Sequence, residues 1–232
     1  QHFAPLWIKI VLAHLKPNSS IFICDDPSQS VYRLFSWEQR GIDVRGKTRW
    51  LRIPYRTTLE IFETAYLLIQ TNPLSRKLLD ESGDPTVPDL SSVLLRRGEA
   101  PAAIQFNSFE KEKEFVLNLV REKMTMILPS EIAVLHSEKS VISTYRGLLP
   151  AGVRVDDLKR QTGMEYKVVI IPQVHKLFAS VISFDYEQSR AESQLALYMA
   201  MTRARDQVYL LYGQKWPKDF ESLRGRLNWM EG

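Results

Sequence analysis

An α/β fold, a parallel sheet with helices on both faces, is predicted by three observations. From Ala103 onward, short β-rich apolar runs alternate with longer stretches of helical period. The helical stretches are long enough to serve as crossovers between parallel strands. Near the start of the chain, the run Ser20 to Cys24 passes straight into the polar sequence Asp25-Asp26-Pro27-Ser28. A loop at a strand's C-terminal end is where such sheets bind ligands.

Each element has its own local reason. Phe3, Leu6, Trp7, Ile10, Val11 and His14 recur at helical spacing, and Pro17-Asn18-Ser19 stops that helix. Ser20–Cys24 and Arg49–Ile53 are predicted strands. Thr57 or Thr58 supplies an oxygen to cap a helix running to about Gln70. Between 72 and 101, Asn72, Pro73, Gly83, Asp84, Pro85, Pro88, Gly98 and Pro101 break any long period. That stretch reads as an irregular linker with a short helix near 74–80. Strand Ala103–Asn107, helix Glu110–Met126, strand Glu131–Leu135 and helix Glu138–Leu149 follow. Strand Val168–Ile171, helix Glu192–Ala204 and strand Gln207–Tyr212 complete the alternation.

At 232 residues, 44% hydrophobic and 25% charged, the chain has the composition of one or two globular domains. Its longest apolar run, Val168-Val169-Ile170-Ile171, is too short to cross a bilayer, so no membrane partner is expected. Cys24 is the only cysteine, which excludes an internal disulfide and fits a reducing compartment. His2, His14, His136 and His175 lack ligand spacing, and no metal site is assigned to them. A net charge of +4 suits a polyanionic partner and equally suits an ordinary solvated surface.

Gly41-Ile42-Asp43-Val44-Arg45-Gly46-Lys47-Thr48 satisfies the phosphate-loop pattern G-x-x-x-x-G-K-[ST]. A working loop must leave a buried strand and open a helix, so that backbone N–H groups converge on phosphate. Phe35 to Arg40 is no buried strand, and Arg49–Ile53 alternates like a strand rather than a helix. The match is therefore rejected, and an independent nucleotide hydrolase built on it ranks last among the functional readings.

Four ordered segments resemble the later motifs of UvrD/Rep-like superfamily 1 DNA helicases. They are Asp25-Asp26-Pro27-Ser28-Gln29-Ser30-Val31-Tyr32, Leu51 to Thr58 with Pro54-Tyr55-Arg56, Thr162-Gly163-Met164-Glu165-Tyr166, and Leu197-Tyr198-Met199-Ala200-Met201-Thr202-Arg203-Ala204-Arg205. The last is the most specific. Gln1 is similar to the final Gln of the family's acidic magnesium-binding motif, which implies an upstream motor half carrying the phosphate loop and the acidic pair. The resemblance implies a RecA-like P-loop NTPase helicase fold in two parts joined by the linker. Residues 1–95 would finish the first motor domain, and 96–232 would form the second.

What the resemblance implies about function is specific. ATP and Mg2+ would be bound only in an intact parent, and single-stranded DNA would cross the top of both domains. Hydrolysis would drive translocation, 3′ to 5′ by the family's habit, in the bacterial cytoplasm at the nucleoid. Arg56 and Arg203 match the arginines that reach the γ-phosphate from different domains; a planar, permanently charged fork suits that role. Arg203 is expected to face an open cleft with few packing partners, and Arg205 beside it to be a structural decoy. Gln29 matches the amide near the γ-phosphate or the attacking water. Gln1, Tyr55, Gly163 and Glu165 match nucleotide-binding positions, Tyr55 at the adenine and Glu165 at the ribose. Tyr32 and Trp37, with Phe35, offer aromatic faces for stacking bases. Asp25, Pro54 and Thr162 depart from the usual Gly, Asn and Lys. Those departures favour the alternative, a helicase-derived nucleic-acid-binding module without ATPase activity.

Overall fold

The computed structural model describes residues 5–23, 37–43, 56–70, 72, 96–161, 163–177, 186–213 and 215–232. Six parallel strands form one sheet: β1 (Ala102–Gln105), β2 (Ile132–His136), β3 (Arg154–Asp157), β4 (Tyr166–Ile171), β5 (Ala204–Tyr212) and β6 (Asn228–Glu231). Their spatial order is β3-β2-β4-β5-β1-β6. The α-helices among the described residues are α1 (Pro5–Ala13), α2 (Leu59–Gln70), α3 (Phe109–Lys123), α4 (Lys139–Leu148) and α5 (Tyr186–Met201).

The strand order explains which helix covers which face. From β1 the chain steps toward β2 and then β3, and afterwards reverses toward β4, β5 and β6. Parallel crossovers keep one hand, so reversing direction moves the connections to the opposite face. Accordingly α3 and α4 cover one face, with Val116, Val120, Val141 and Tyr145 packed on Ile104, Val134, Val168 and Ile170. On the other, α2, α5 and the 3-10 segment Lys218–Arg226 pack on Ala133, Val169, Val208 and Leu210. Alternate residues of β4 enter the two cores, so the strand reads in sequence as an unbroken apolar run.

The caps follow their chemistry. Ser108 accepts a hydrogen bond from the Lys111 amide at the start of α3 at 3.3 Å. Glu110 and Glu112 occupy the first turn of α3, and Arg121 and Lys123 the last, matching the helix dipole. The expected cap of α2 is Thr58, whose Oγ1 accepts from the Ile61 amide at 3.5 Å. In α5, Leu195 to Met201 is buried without interruption, in the core that the helix shares with the sheet and α2.

Several expectations differ from the structure. Ser20 to Phe22 forms no strand among the described residues, and Phe22 is almost fully exposed. A strand needs a neighbour for its backbone groups, and none of the described strands lies beside it. Two strands went unpredicted, β3 and β6, and α5 begins six residues ahead of its predicted start at Glu192. Helix α2 precedes residue 95 yet shares a core with α5 and the sheet, through Ile61, Ala65 and Leu68. The expected strand Arg49–Ile53 and the short helix near 74–80 lie outside the described residues.

A candidate anion site at the N-terminal edge of β4 and β5

Leading into β4, the chain turns at Gly163, whose φ of +78° is a left-handed value that favours glycine. The Met164 amide closes this turn onto the Gln161 carbonyl at 3.1 Å. Tyr166 then pairs with Ala204, and its amide donates to the Arg203 carbonyl at 2.9 Å. A register shift between Tyr166 and Val168 follows at once. Irregular pairing of this kind re-aims side chains at a sheet edge. Glu165 is carried out beside the start of β5.

Two arginines from distant parts of the sequence meet there. Arg56 Nε lies 3.0 Å from Glu165 Oε2, and Arg205 Nη1 lies 3.6 Å from Glu165 Oε1. Each carboxylate oxygen therefore faces one guanidinium. All three side chains stay open to solvent, at 41% for Arg56, 46% for Arg205 and 48% for Glu165.

The segment 96–98 brings Arg56 close. The Leu59 amide donates to the Arg96 carbonyl at 2.9 Å, and the Gly98 amide donates to Glu60 Oε2 at 2.8 Å. Burial raises the Glu60 pKa, but hydrogen bonds from the Glu60 and Gly98 amides and from Arg97 outweigh it and hold the carboxyl below its usual range. The Arg96 guanidinium pairs with Asp206 and donates to the Arg205 carbonyl. The start of α2, just after Arg56, is thus stitched to the start of β5, just before Asp206.

Arg203 contradicts the expectation of an open cleft. It is 2% exposed, with Nε donating to the Met199 carbonyl at 3.2 Å and Nη1 to the Met164 carbonyl at 3.5 Å. Its guanidinium ties the end of α5 to the Gly163–Glu165 turn. Nearby, Lys167 pairs with Glu131 at 3.0 Å. That hydrogen bond, then the Leu128 amide and the charges of Lys167 and Arg205, hold the Glu131 carboxyl below its usual range.

The opposite edge of the sheet is built differently. Glu112 is 2% exposed; it accepts from the Tyr145 hydroxyl at 2.8 Å and from the backbone and side chain of Gln173. Burial raises its pKa, and the Tyr145 hydrogen bond opposes that rise. Burial and the Glu112 charge push the Tyr145 phenol up. His136 Nδ1 accepts from the Glu138 amide at 3.0 Å, which leaves Nε2 to donate toward the Gln173 carbonyl, 3.4 Å away. Burial pulls the His136 pKa down to about 4. Gln173 adopts a left-handed φ of 44° that this network holds.

Of the residues singled out from sequence, Arg56, Gly163, Glu165 and Arg203 come together at one edge. Trp37 lies in a separate turn, with the Arg40 guanidinium 4.6 Å from its ring centroid and covering one face. The turn is closed by hydrogen bonds from the amides of Arg40, Gly41 and Ile42. Among the described residues, 37–41 form a turn and not a strand, while the rest of the rejected phosphate-loop match, Val44 to Thr48, lies outside them. Gln1, Gln29, Tyr32 and Tyr55 lie outside the described residues, as do Asp25, Pro54 and Thr162. Arg205, set aside as a decoy, joins Arg56 at Glu165, a placement that sequence reasoning did not anticipate. No signal in the sequence marks it, since packing alone decides that Arg203 is buried and Arg205 exposed.

Guanidinium forks pair with carboxylate or phosphate oxygens, so the arrangement can hold an anion. Among the described residues no group of three or more His, Cys, Asp or Glu side chains is placed to hold a metal ion. No described helix is long and apolar enough to cross a membrane.

The three-layer architecture with six parallel strands is an α/β arrangement of the RecA-like kind. The chain is similar in fold to a solved structure described as the C-terminal domain of a possible DNA helicase from Lactobacillus plantarum WCFS1. The likeness has a TM-score of 0.52 at 12% identity and covers 75% of this chain and 98% of that one. No protein-family profile matches the chain, and no curated protein matches it by sequence.

Proposed function

We propose that this chain is part of an ATP-driven DNA helicase or translocase of the UvrD/Rep-like kind, supplying the arginine side of its nucleotide cleft. The observation that carries the reading is the convergence of Arg56 and Arg205 on Glu165, beside the left-handed turn at Gly163. It occurs in a fold similar to the C-terminal domain of a possible DNA helicase. Positioned cations stabilise phosphoryl transfer by meeting the charge that develops on equatorial oxygens. Arg56 and Arg203 would serve the γ-phosphate and Gln29 the attacking water; Gln1, Tyr55, Gly163 and Glu165 would line the rest of the nucleotide. Single-stranded DNA would stack on Tyr32 and Trp37. Mg2+ and the phosphate loop would come from an upstream motor half of a longer parent. We place that half against the exposed apolar side chains of α1, Leu6, Trp7, Ile10 and Val11. We also place the start of the second motor domain before α2, because α2 shares its core.

A binding module without ATPase activity is the second reading, favoured by the burial of Arg203. Reaching a phosphate would require its guanidinium to leave the Met199 and Met164 carbonyls. Steady-state ATPase assays separate the two. The isolated chain should release no phosphate from ATP with or without single-stranded DNA, while the parent should do so in a DNA-stimulated manner. A DNA-stimulated parent supports the motor, and a silent parent that still binds DNA supports the module. Turnover by the isolated chain that is lost on Lys47→Ala would overturn both.

A further inference from the structure

We propose that Arg205, acting with Arg56, is the arginine that first engages a polyphosphate at this edge, and that Glu165 is the internal anion the polyphosphate displaces. The inference rests on the nucleotide-cleft reading above and adds a residue and a mechanism to it. Of the two arginines that flank Ala204, only Arg205 is free of a buried setting, at 46% exposure against 2% for Arg203. Arg203 spends its donors on two backbone carbonyls, and moving it would loosen the turn that carries Glu165.

The geometry around Glu165 is that of an anion held between two forks. One carboxylate oxygen faces Arg56 at 3.0 Å and the other faces Arg205 at 3.6 Å. A phosphoryl group presents oxygens at nearly the same spacing and carries more charge, so it can replace the carboxylate oxygen for oxygen. Solvent-exposed ion pairs are weakly held, so little opposes the exchange. The Arg205 carbonyl and Asp206 remain fixed by Arg96 during it, so the strand does not have to move. Glu165 then has two states: it masks the arginines when phosphate is absent and swings toward solvent when phosphate arrives.

Titration calorimetry of the whole chain with inorganic tripolyphosphate tests this, because the probe has phosphates and no ribose or base. Arg205→Ala and Arg56→Ala should each weaken binding about tenfold. Arg205→Gln, which keeps the chain length, should do the same and guards against a folding defect. Glu165→Gln should tighten binding about fivefold by removing the competing charge, whereas a ribose contact alone would leave this probe unaffected. Arg224→Ala removes an exposed arginine near the opposite, C-terminal end of β5 and controls for net charge. Wild-type binding that survives both Arg205 changes, or falls no more than with Arg224→Ala, overturns the role of Arg205 and leaves the cleft reading standing. Absence of tripolyphosphate binding by the wild type overturns the anion site itself.

Discussion

At the C-terminal ends of β2 and β4, Glu112, Tyr145, His136 and Gln173 are all buried and bonded to one another. At the N-terminal ends of β4 and β5, Arg56, Glu165 and Arg205 keep nearly half of their side-chain surface in solvent. Ligands in open α/β sheets are usually sought at the C-terminal edge, where the crevices form. Among the described residues, the part of that edge beyond β2 and β4 is occupied by the protein's own polar groups. Gln173 Oε1 lacks a partner, but breaking the bonds that the rest of the network makes would strand further buried groups, so it resists exchange. Exposed ion pairs contribute little to folding and part readily. The first edge therefore holds the shape, and the second is free to trade its carboxylate for another anion.

Removing a member of the buried network should produce the largest effect. Glu112→Ala leaves the Tyr145 hydroxyl and the Gln173 side chain without their acceptor, and costs about 3–5 kcal/mol in chemical denaturation. A loss below 1 kcal/mol would show that this network does not hold the edge.

The pH dependence of stability sharpens the same point. The folded-state pKa of His136 is depressed to about 4 from an ordinary 6.5, so its contribution is present above pH 6.5 and disappears as pH falls toward 4. The shift corresponds to about 3 kcal/mol across that window. Glu112 acts with the opposite sign: its pKa is raised, so its contribution is lost as pH rises through the elevated value. His136→Gln should flatten the acid limb of a denaturation series run from pH 7 to pH 4. An unchanged acid limb would place the titrating group elsewhere.

Arg203 and its neighbours provide a third comparison, within one edge. Arg203→Ala should cost about 2 kcal/mol, because two backbone carbonyls lose their donors inside a packed region. Arg56→Ala, Arg205→Ala and Glu165→Gln should each cost less than about 1 kcal/mol. Equal losses at Arg203 and Arg205 in thermal melts would erase the distinction between an anchoring and an exposed arginine.

The alternation that predicted the sheet was legible wherever a strand is buried on both faces, as in β2, β4 and β5. The edge strands were not. β3, Arg-Val-Asp-Asp, buries one residue, Val155, and β6 is exposed throughout, so neither leaves an apolar run to read. The early start of α5 was missed because Tyr186 to Arg190 has no apolar stripe to mark it. At the site, the resemblance to helicase motifs singled out Arg56, Gly163, Glu165 and Arg203, and the fold brings them to one edge. Burial, however, is a property of packing. Nothing in the order Thr202-Arg203-Ala204-Arg205 reveals that the first arginine turns inward under α5 and the second outward beside Glu165. The pairing of Arg56 with Glu165 is equally hidden, since it depends on the stitching of segment 96–98 to both α2 and β5.

Mapping backbone amide shifts while tripolyphosphate is added to the chain tests the contrast between the two edges most directly. Shifts should concentrate at Gly163, Glu165, Arg205 and Asp206, while Glu112, His136 and Gln173 stay still. Shifts concentrated at Glu112, His136 and Gln173, with the Gly163–Arg205 edge silent, would contradict this contrast.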